Sequence, residues 1–146
     1  MVREIEAADA APLGALFHDY RVFYDLDSNI EECVGFISER IAQRDSTIFV
    51  ACGTGGTPVA FAQMYPLFSE VTLKKIWLLN DLYVKESERR NGIAKRLMQR
   101  CEDFVRESGG TELTLATAKS NHAAQSLYEM LGYKRNSEFW VYNLYL

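Results

Sequence analysis

The strongest constraint on the fold is a strand–helix–strand pattern between residues 76 and 116. An apolar run at Ile76–Val84 predicts a central strand, an amphipathic run at Arg90–Ser108 predicts a helix, and Glu112–Ala116 predicts a further strand. The Gly109-Gly110 pair marks the end of the helix. Two strands of one sheet that are joined through a helix pair in parallel and are connected by a right-handed crossover. The pattern therefore indicates an α/β protein.

The rest of the chain adds strands and helices on both sides of this unit. Helical spacing of Leu13, Leu16, Phe17, Tyr20 and Tyr24 predicts a helix capped by Asp9, and Asn29 is placed to cap a second helix. Further strands are predicted at Val2–Glu6, Ile48–Cys52, Pro58–Pro66 and Glu138–Leu146, and a further helix at Asn121–Leu131. We expect one domain over residues 1–146, with a mixed, mostly antiparallel central sheet flanked by helices.

Composition places the chain among ordinary globular proteins. Of its 146 residues, 48% are apolar and 25% are charged, which is enough for one full core. The start carries no apolar signal-peptide core and no run approaches about 18 apolar residues, so we expect a soluble, cytoplasmic protein without membrane contact. The net charge of −4 argues against nucleic acid as the main partner.

Cysteine and histidine usage predicts neither a disulfide nor a metal site. Cys33, Cys52 and Cys101 are odd in number and have apolar neighbours, which is typical of buried free thiols in a reducing compartment. His18 and His122 lie far apart in the sequence and lack cysteine or acidic partners at ligand spacing.

The loop at residues 89–94, Arg-Arg-Asn-Gly-Ile-Ala, has the properties of a phosphate-binding site. It lies between a strand and a helix, and a helix N-terminus offers unpaired N–H groups and the positive end of the dipole. Gly92 allows close approach of a ligand, and Ala94 keeps the first turn narrow. The nearby cations are Arg89, Arg90, Lys95, Arg96 and Arg100. No acidic residue falls between positions 89 and 101, so the sequence predicts an anionic, phosphorylated ligand.

The glycine pattern separates this loop from two common nucleotide-binding motifs. No Gly-Lys-Ser/Thr triplet follows, and a single glycine does not make a dinucleotide fingerprint. Arg-x-x-Gly-x-Ala instead resembles the pyrophosphate loop of the GNAT superfamily of N-acetyltransferases. Asn-Asp-Leu-Tyr-Val at residues 80–84 and the segment from Asn121 through Tyr128 to Leu-Gly-Tyr at 131–133 resemble that family in order and spacing. The resemblance covers residues 45–146 well and 1–44 more loosely, and is closest to the histone- and polyamine-type subgroup.

The resemblance implies the acyl-CoA N-acyltransferase fold with acetyl-CoA as cofactor. A bulge would separate the central strand from its neighbour and free backbone groups for the pantetheine arm. Those groups belong to Leu82, Tyr83 and Val84. The pyrophosphate would bind at Arg89, Arg90, Asn91, Gly92, Ile93, Ala94 and Lys95. Asn121 would hydrogen-bond the pantetheine arm, with Ala124 and Tyr128 beside it on the same helix; the alternative for Asn121 is a helix cap.

The resemblance assigns the general acid to Tyr128. A phenol with an ordinary pKa near ~10 holds a proton at neutral pH that it can give to a leaving thiolate. The alternative is a core tyrosine. Many relatives carry a glutamate base where this chain has Asn80, which takes no proton at neutral pH. Asp81 is the nearest carboxylate, and it is a candidate to act as the base, contact the amine or order the loop; a water chain or uptake of a neutral amine is the alternative.

Aromatic and acidic residues suggest the acceptor. Tyr20 and Tyr24, with Phe23, resemble an aromatic motif of the subgroup and would line the acceptor pocket with Asn80 and Asp81; core packing is the alternative. Residues 1–44 carry nine acids and four bases, whereas residues 45–146 carry a net charge of +1. Acids at positions 25, 27, 31 and 32 would attract a cationic amine or merely solubilise the start of a helix.

These residues together predict an acetyl-CoA-dependent N-acetyltransferase. The acceptor would be the primary amine of a small cationic or zwitterionic molecule, such as a polyamine or an amino acid. The alternatives are a protein lysine or N-terminal acetyltransferase and a non-catalytic acyl-CoA-binding module. The closing strand predicted at Glu138–Leu146 is apolar on both faces, and the subgroup often exchanges this strand between subunits, so we expect a homodimer. A monomer that buries these rings itself is the alternative.

Overall fold

A five-stranded sheet forms the centre of the first part of the chain. The computed structural model describes residues 1–146, in two units, Met1–Ala116 and Thr117–Leu146. The strands of the first unit are β1 (Val2–Glu4), β2 (Thr47–Cys52), β3 (Pro58–Ser69), β4 (Lys74–Val84) and β5 (Leu113–Leu115). Its helices are α1 (Ala10–Phe23), α2 (Ile30–Gln43) and α3 (Ile93–Glu107). The strands lie in the order β1-β2-β3-β4-β5 and pair antiparallel, except for the parallel pair β4–β5. The predicted fold class and the parallel pair joined through a helix are confirmed.

The two first helices begin in different ways. Asn29 caps α2 as expected, since its side-chain oxygen accepts the Glu32 N–H at 3.1 Å. Asp9 precedes α1, but its carboxylate accepts two bonds from Arg3, at 2.6 and 2.9 Å, and one from the Glu6 N–H. The predicted cap at Asp9 is therefore wrong. The Arg3 guanidinium lowers the pKa of Asp9, and the pair ties β1 to the start of α1.

The alternation of side chains along the strands divides the core between the two faces of the sheet. Ile48, Val50 and Phe61 pack with buried residues of α1 and α2. Phe49 points to the opposite face, where its ring packs against Phe104 of α3 at 5.6 Å. Both faces of the middle strands are therefore covered, which explains why they read as continuous apolar runs.

The second unit, Thr117–Leu146, contains one helix, α4 (His122–Met130), and no strand. The strand predicted at Glu138–Leu146 is wrong. The alternating aromatic residues favour a strand, but the Asn136 side chain accepts the N–H groups of Glu138 and Phe139 and turns the chain locally. The apolar side chains beyond this turn are exposed, with Trp140 at 87% and Tyr145 at 90%.

All three cysteines are free thiols. Cys33 and Cys101 are buried, whereas Cys52 is half-buried. Burial raises the pKa of Cys101 to about 12, so its thiol is unreactive. The structure contains no group of three or more His, Cys, Asp or Glu side chains placed to hold a metal ion. None of its helices combines the length and the apolar character that crossing a membrane requires.

Candidate active site

The sheet opens beside the second half of β4. Gln63 of β3 lies opposite Asp81, but the next residue, Met64, lies opposite Leu79, so Asn80 is the extra residue of a bulge. On the other side of β4, β5 pairs only with Trp77–Leu79. Residues 80–84 therefore have no strand partner on the β5 side, and their backbone groups form an open edge.

The hydrogen-bonding pattern decides which backbone groups face this opening. The Lys85 N–H donates to the Val59 carbonyl at 2.9 Å, and bonded pairs alternate along an antiparallel ladder. Tyr83 therefore turns its backbone toward β3, whereas Leu82 and Val84 turn theirs toward the opening. The Arg89 side chain agrees with this, because its Nε donates to the Val84 carbonyl at 3.0 Å. Of the three residues proposed to bind the pantetheine arm, Tyr83 offers a ring and the other two offer backbone groups.

The loop at residues 89–92 leads from this edge into α3. The helix begins at Ile93, three residues later than predicted, because Arg90 and Gly92 adopt positive φ angles of 64° and 69°. The Arg96 N–H bonds to the Gly92 carbonyl, so the N–H groups of residues 93–95 precede the first complete turn. No acid lies in that turn, and no side chain caps it. The loop is held by the Arg96 guanidinium, which donates to the Asn91 carbonyl at 3.1 Å.

The cations near the loop differ in what they contact. The Arg89 guanidinium lies over the rings of Phe23 and Tyr83, at 5.0 and 5.6 Å from their centroids. Arg100 lies over the Phe49 ring at 4.7 Å and pairs with Glu107 at 3.2 Å. The expectation that Arg100 adds charge to the phosphate loop is therefore wrong, because its side chain is directed along α3 instead.

An aromatic wall runs from the C-terminal end of α1 to β4. The Tyr20 ring packs against Phe61 and Tyr83, with centroid distances of 5.7 and 5.8 Å. The ring centroid of Tyr24 lies 5.1 Å from that of Tyr20, and the ring centroid of Phe23 lies 6.2 Å from that of Tyr83. Tyr20 is half-buried against the core, whereas Phe23 and Tyr24 are exposed at the rim. The wall thus unites the predicted acceptor residues Tyr20 and Tyr24 with the open edge.

Asp81 lies on the same face of the sheet as this wall and is only 6% exposed. Its carboxylate accepts a hydrogen bond from the Asn80 side-chain amide at 3.2 Å and another from the Tyr20 hydroxyl. Burial nevertheless raises the pKa of Asp81 above its usual range. The candidate acceptor residues Tyr20, Asn80 and Asp81 are therefore in direct contact, and the carboxylate has a higher proton affinity than an exposed aspartate.

Replacement of Asp81 by asparagine should remove a pH-dependent loss of stability. Because the pKa is raised in the folded chain, this carboxyl contributes stability below its unfolded pKa of about 3.9 and loses it as the pH rises through the folded value. Thermal unfolding between pH 4 and 8 should show that Asp81→Asn gains stability relative to wild type as the pH rises. A difference that is independent of pH would contradict this description of Asp81.

One polar residue opposite Asp81, Gln63, is absent from the predicted site. Gln63 is fully buried, and its amide nitrogen donates to the Tyr65 hydroxyl. Burial and the nearby Asp81 charge raise the pKa of Tyr65. The sequence does carry a signal for Gln63, because it is a single polar residue within the apolar stretch from Val59 to Met64. Trp77 of β4 lies outside this cluster, because its ring packs on Phe104 on the other face of the sheet.

The remaining predicted residues lie together in the second unit. Asn121 caps α4, since its side-chain oxygen accepts the Ala124 N–H at 3.2 Å. Tyr128 is half-buried on the same helix, and its ring lies 6.0 Å from the Tyr133 ring. The Tyr133 N–H donates to the Tyr128 carbonyl at 3.0 Å, which closes the turn after the helix. Asn121 therefore caps the helix, which the sequence analysis gave as the alternative to binding the pantetheine arm.

The four acids near the start of α2 are all exposed. Glu31 and Glu32 lie in the first turn of α2, where negative charge stabilises a helix. Asp25 lies in the preceding turn with a φ angle of 55°, and the Asp27 carbonyl accepts a bond from Arg21. These positions fit the alternative that the four acids stabilise and solubilise the start of α2. The carboxylate that contacts the aromatic wall is that of Asp81, which accepts a hydrogen bond from Tyr20.

Comparison with known proteins agrees with this geometry. Residues 8–133 match the model of the acetyltransferase (GNAT) family, a match that runs across both units. The chain belongs to this family. It is therefore an acetyltransferase, and the family prediction from the sequence is confirmed, whereas the histone- and polyamine-type subgroup is not distinguished by these similarities.

Individual relatives support the assignment along the whole chain. The uncharacterized N-acetyltransferase YhfO of Bacillus subtilis is 36% identical over 143 residues, which cover 98% of this chain and 95% of the relative. The aminoglycoside N(6')-acetyltransferase type 1 of Serratia marcescens is 29% identical over 107 residues, 71% of this chain and 73% of that protein. A crystal structure of a probable acetyltransferase covers 100% of this GNAT chain, with a TM-score of 0.93 and 32% identity.

Proposed function

We propose that this GNAT protein transfers the acetyl group of acetyl-CoA to the primary amine of a small cationic or zwitterionic acceptor. The observation that carries the proposal is the open edge of β4, which is flanked by the α3 N-terminus on one side and by buried Asp81 on the other. The α3 N-terminus suits an anionic cofactor, and the Asp81 carboxylate suits a cationic substrate.

The residues of the open edge and loop fit acetyl-CoA. Leu82 and Val84 turn backbone groups without a strand partner toward the opening, as an extended pantetheine amide chain requires. The Val84 carbonyl already accepts a hydrogen bond from Arg89, so the Leu82 backbone is the better candidate. The α3 N-terminus offers N–H groups without an acid nearby, and Gly92 has no side chain to block a diphosphate. When bound, acetyl-CoA supplies an activated acetyl thioester.

The chain itself must hold and move protons. Asp81 binds the ammonium group of the acceptor and accepts one proton from it, because burial gives this carboxylate a raised proton affinity. Tyr20 and Asn80 hold the carboxylate in place through their hydrogen bonds. Tyr128 donates its hydroxyl proton to the departing sulfur, and the resulting phenolate takes up the second proton, which the nitrogen releases when it is acetylated. The aromatic wall excludes water and places a cation against ring faces.

The preference for a cationic acceptor has two supports. Asp81 is a buried carboxylate bonded to Tyr20, whose ring packs against Tyr24 and Tyr83, and a carboxylate among aromatic rings is the chemistry that recognises an ammonium group. One relative, by its name, acts on aminoglycosides, which carry several amines.

An amine panel tests this function directly. Release of free thiol from acetyl-CoA should be fastest with small primary amines that carry a further positive charge, and the product mass should increase by one acetyl group. Peptides with free N-termini or lysines belong in the same panel as the protein-substrate alternative. Faster acetylation of peptides than of every small amine would refute the small-acceptor proposal, and no thiol release would favour a non-catalytic binding module.

We further propose that the protein is a homodimer. Its support is the exposed apolar surface of residues 139–146, where Phe139 is 76% exposed. Light scattering at micromolar concentration should give about twice the chain mass of 16.7 kDa. Truncation after residue 137 should lower that mass to one chain. A full chain that scatters as a monomer would reject the dimer.

A further inference from the structure

Gln63 carries a buried polar atom that the structure leaves without a partner. Its side chain is fully buried, and its amide nitrogen donates to the Tyr65 hydroxyl, but Oε1 accepts no hydrogen bond. A buried acceptor without a donor is costly, so proteins place a donor against such an atom. Three further buried atoms lack partners, on Arg40, Ser46 and Trp77, and none of these residues is a strand partner of Asp81.

The position of Gln63 connects it to the proposed acceptor site. It lies directly opposite Asp81 in the β3–β4 register, at the edge of the bulge. Opposite residues on antiparallel strands have Cβ atoms about 4.5–5.5 Å apart and share one face of the sheet. That face also carries Phe61 and Tyr83 of the aromatic wall. Gln63 is fully buried and Asp81 is 6% exposed, whereas Asn80 beside Asp81 is exposed and Tyr65 is half-buried.

Both residues of this pair keep unused hydrogen-bonding capacity. A carboxylate has about four acceptor sites, of which Asn80 and Tyr20 each use one. The amide of Gln63 has a donor bonded to Tyr65 and a free acceptor oxygen. Both residues thus present unused acceptor oxygens. A primary ammonium group matches them, because this group carries three N–H donors and no acceptor.

We propose that Gln63 is a second acceptor-binding residue, whose Oε1 accepts an N–H of the substrate's primary ammonium group beside Asp81. This role rests on the proposed function. When one proton passes from the nitrogen to the Asp81 carboxylate, a neutral amine and a carboxylic acid result. The amine keeps two N–H groups and gains a free electron pair. One N–H stays bonded to Gln63 and holds the nitrogen in position for attack.

This arrangement selects for the number of N–H groups and not for charge alone. A tertiary ammonium group carries the same charge as a primary one but has a single N–H, so it can bond to Asp81 or to Gln63 but not to both. The matched probes are 1,4-diaminobutane and its N,N,N′,N′-tetramethyl derivative. Wild-type protein should bind the primary diamine at least about tenfold more tightly, which is the effect of one hydrogen bond to a charged group.

Two substitutions isolate the Gln63 oxygen. Gln63→Met has a similar length but only a weakly accepting thioether sulfur, whereas Gln63→Glu keeps an acceptor oxygen at the same place. Calorimetry with 1,4-diaminobutane should show a Kd about 10- to 100-fold higher for Gln63→Met than for wild type. Gln63→Glu should bind at least as tightly as wild type. Acetyl-CoA affinity should be the same in all three proteins, and the tetramethyl probe should bind wild type and Gln63→Met with similar affinity.

Several results would overturn the proposal. An unchanged Kd in Gln63→Met would mean that the oxygen binds only a buried water. A loss in Gln63→Glu as large as in Gln63→Met, equal affinity of wild type for both diamines, or no binding of 1,4-diaminobutane at millimolar concentration would also refute it. The comparison of diamines needs no variant, so it decides even if Gln63→Met fails to fold. Absence of thiol release by wild type would refute the proposed transfer reaction, whereas these binding measurements would still decide the role of Gln63.

Discussion

Replacement of Tyr128 by phenylalanine is expected to lower kcat by about two to four orders of magnitude. The change removes only the hydroxyl that we propose as the general acid. The ring is kept, so its packing against Tyr133 and the turn after α4 should remain. Steady-state kinetics with the best amine of the panel, together with calorimetry of acetyl-CoA binding, should show a loss of turnover at nearly unchanged cofactor affinity.

Tyr133→Phe is the matched control for this variant. It removes a hydroxyl from the other ring of the same pair, in the same unit of the structure. Turnover close to wild type in this control and a large loss in Tyr128→Phe would assign the effect to the acid. Tyr128→Phe with wild-type turnover would return Tyr128 to a packing role and leave the general acid unassigned.

Replacement of Gly92 by glutamate is expected to weaken acetyl-CoA binding by at least about 100-fold, or about 2.7 kcal/mol. The new side chain would place bulk and negative charge at the α3 N-terminus, where we propose that the diphosphate binds. A non-glycine residue at the φ angle of 69° also costs about 1–2 kcal/mol of stability, so the variant should fold but unfold at a lower temperature.

Gly109→Glu separates the loss of binding from the backbone strain. Gly109 has a φ angle of 74° and open space around its Cβ position, and it follows the opposite end of α3. This control should lose comparable stability while retaining acetyl-CoA affinity. Equal cofactor affinity in Gly92→Glu and wild type, measured by calorimetry, would refute the assignment of the phosphate loop.

Local features of the fold were predictable because they depend on residues close in sequence. The apolar spacing of α1, the cap at Asn29 and the strand–helix–strand unit all appear as expected. Where two local interactions compete, prediction failed. Asp9 is drawn to Arg3 and does not cap α1, and the turn at Asn136 interrupts the aromatic alternation beyond it. The α3 start was misplaced because Arg90 adopts a positive φ angle, which its residue type disfavours.

The residues of the candidate site also fall into those that local motifs suggest and those that only the strand register brings together. Motif order made Asp81, the loop at residues 89–95 and Tyr128 candidates, and the sequence suggested Tyr20 and Tyr24 as acceptor residues. Gln63 could not become a candidate from the sequence, because its place opposite Asp81 comes from the strand register. The orientation of the Leu82 and Val84 backbone groups also depends on that register.

The sequence by itself determined the family, most of the element types and the charge of the loop at residues 89–95, because each is encoded in a continuous stretch of chain. The tertiary structure alone decided which side chains meet at the candidate acceptor site and which of them are buried. Burial of Asp81, its bonds to Tyr20 and Asn80, and the unpartnered oxygen of Gln63 join residues from α1, β3 and β4. Such contacts follow from sheet register and from the bulge at Asn80, since one extra residue in a strand reverses the face to which every later side chain points.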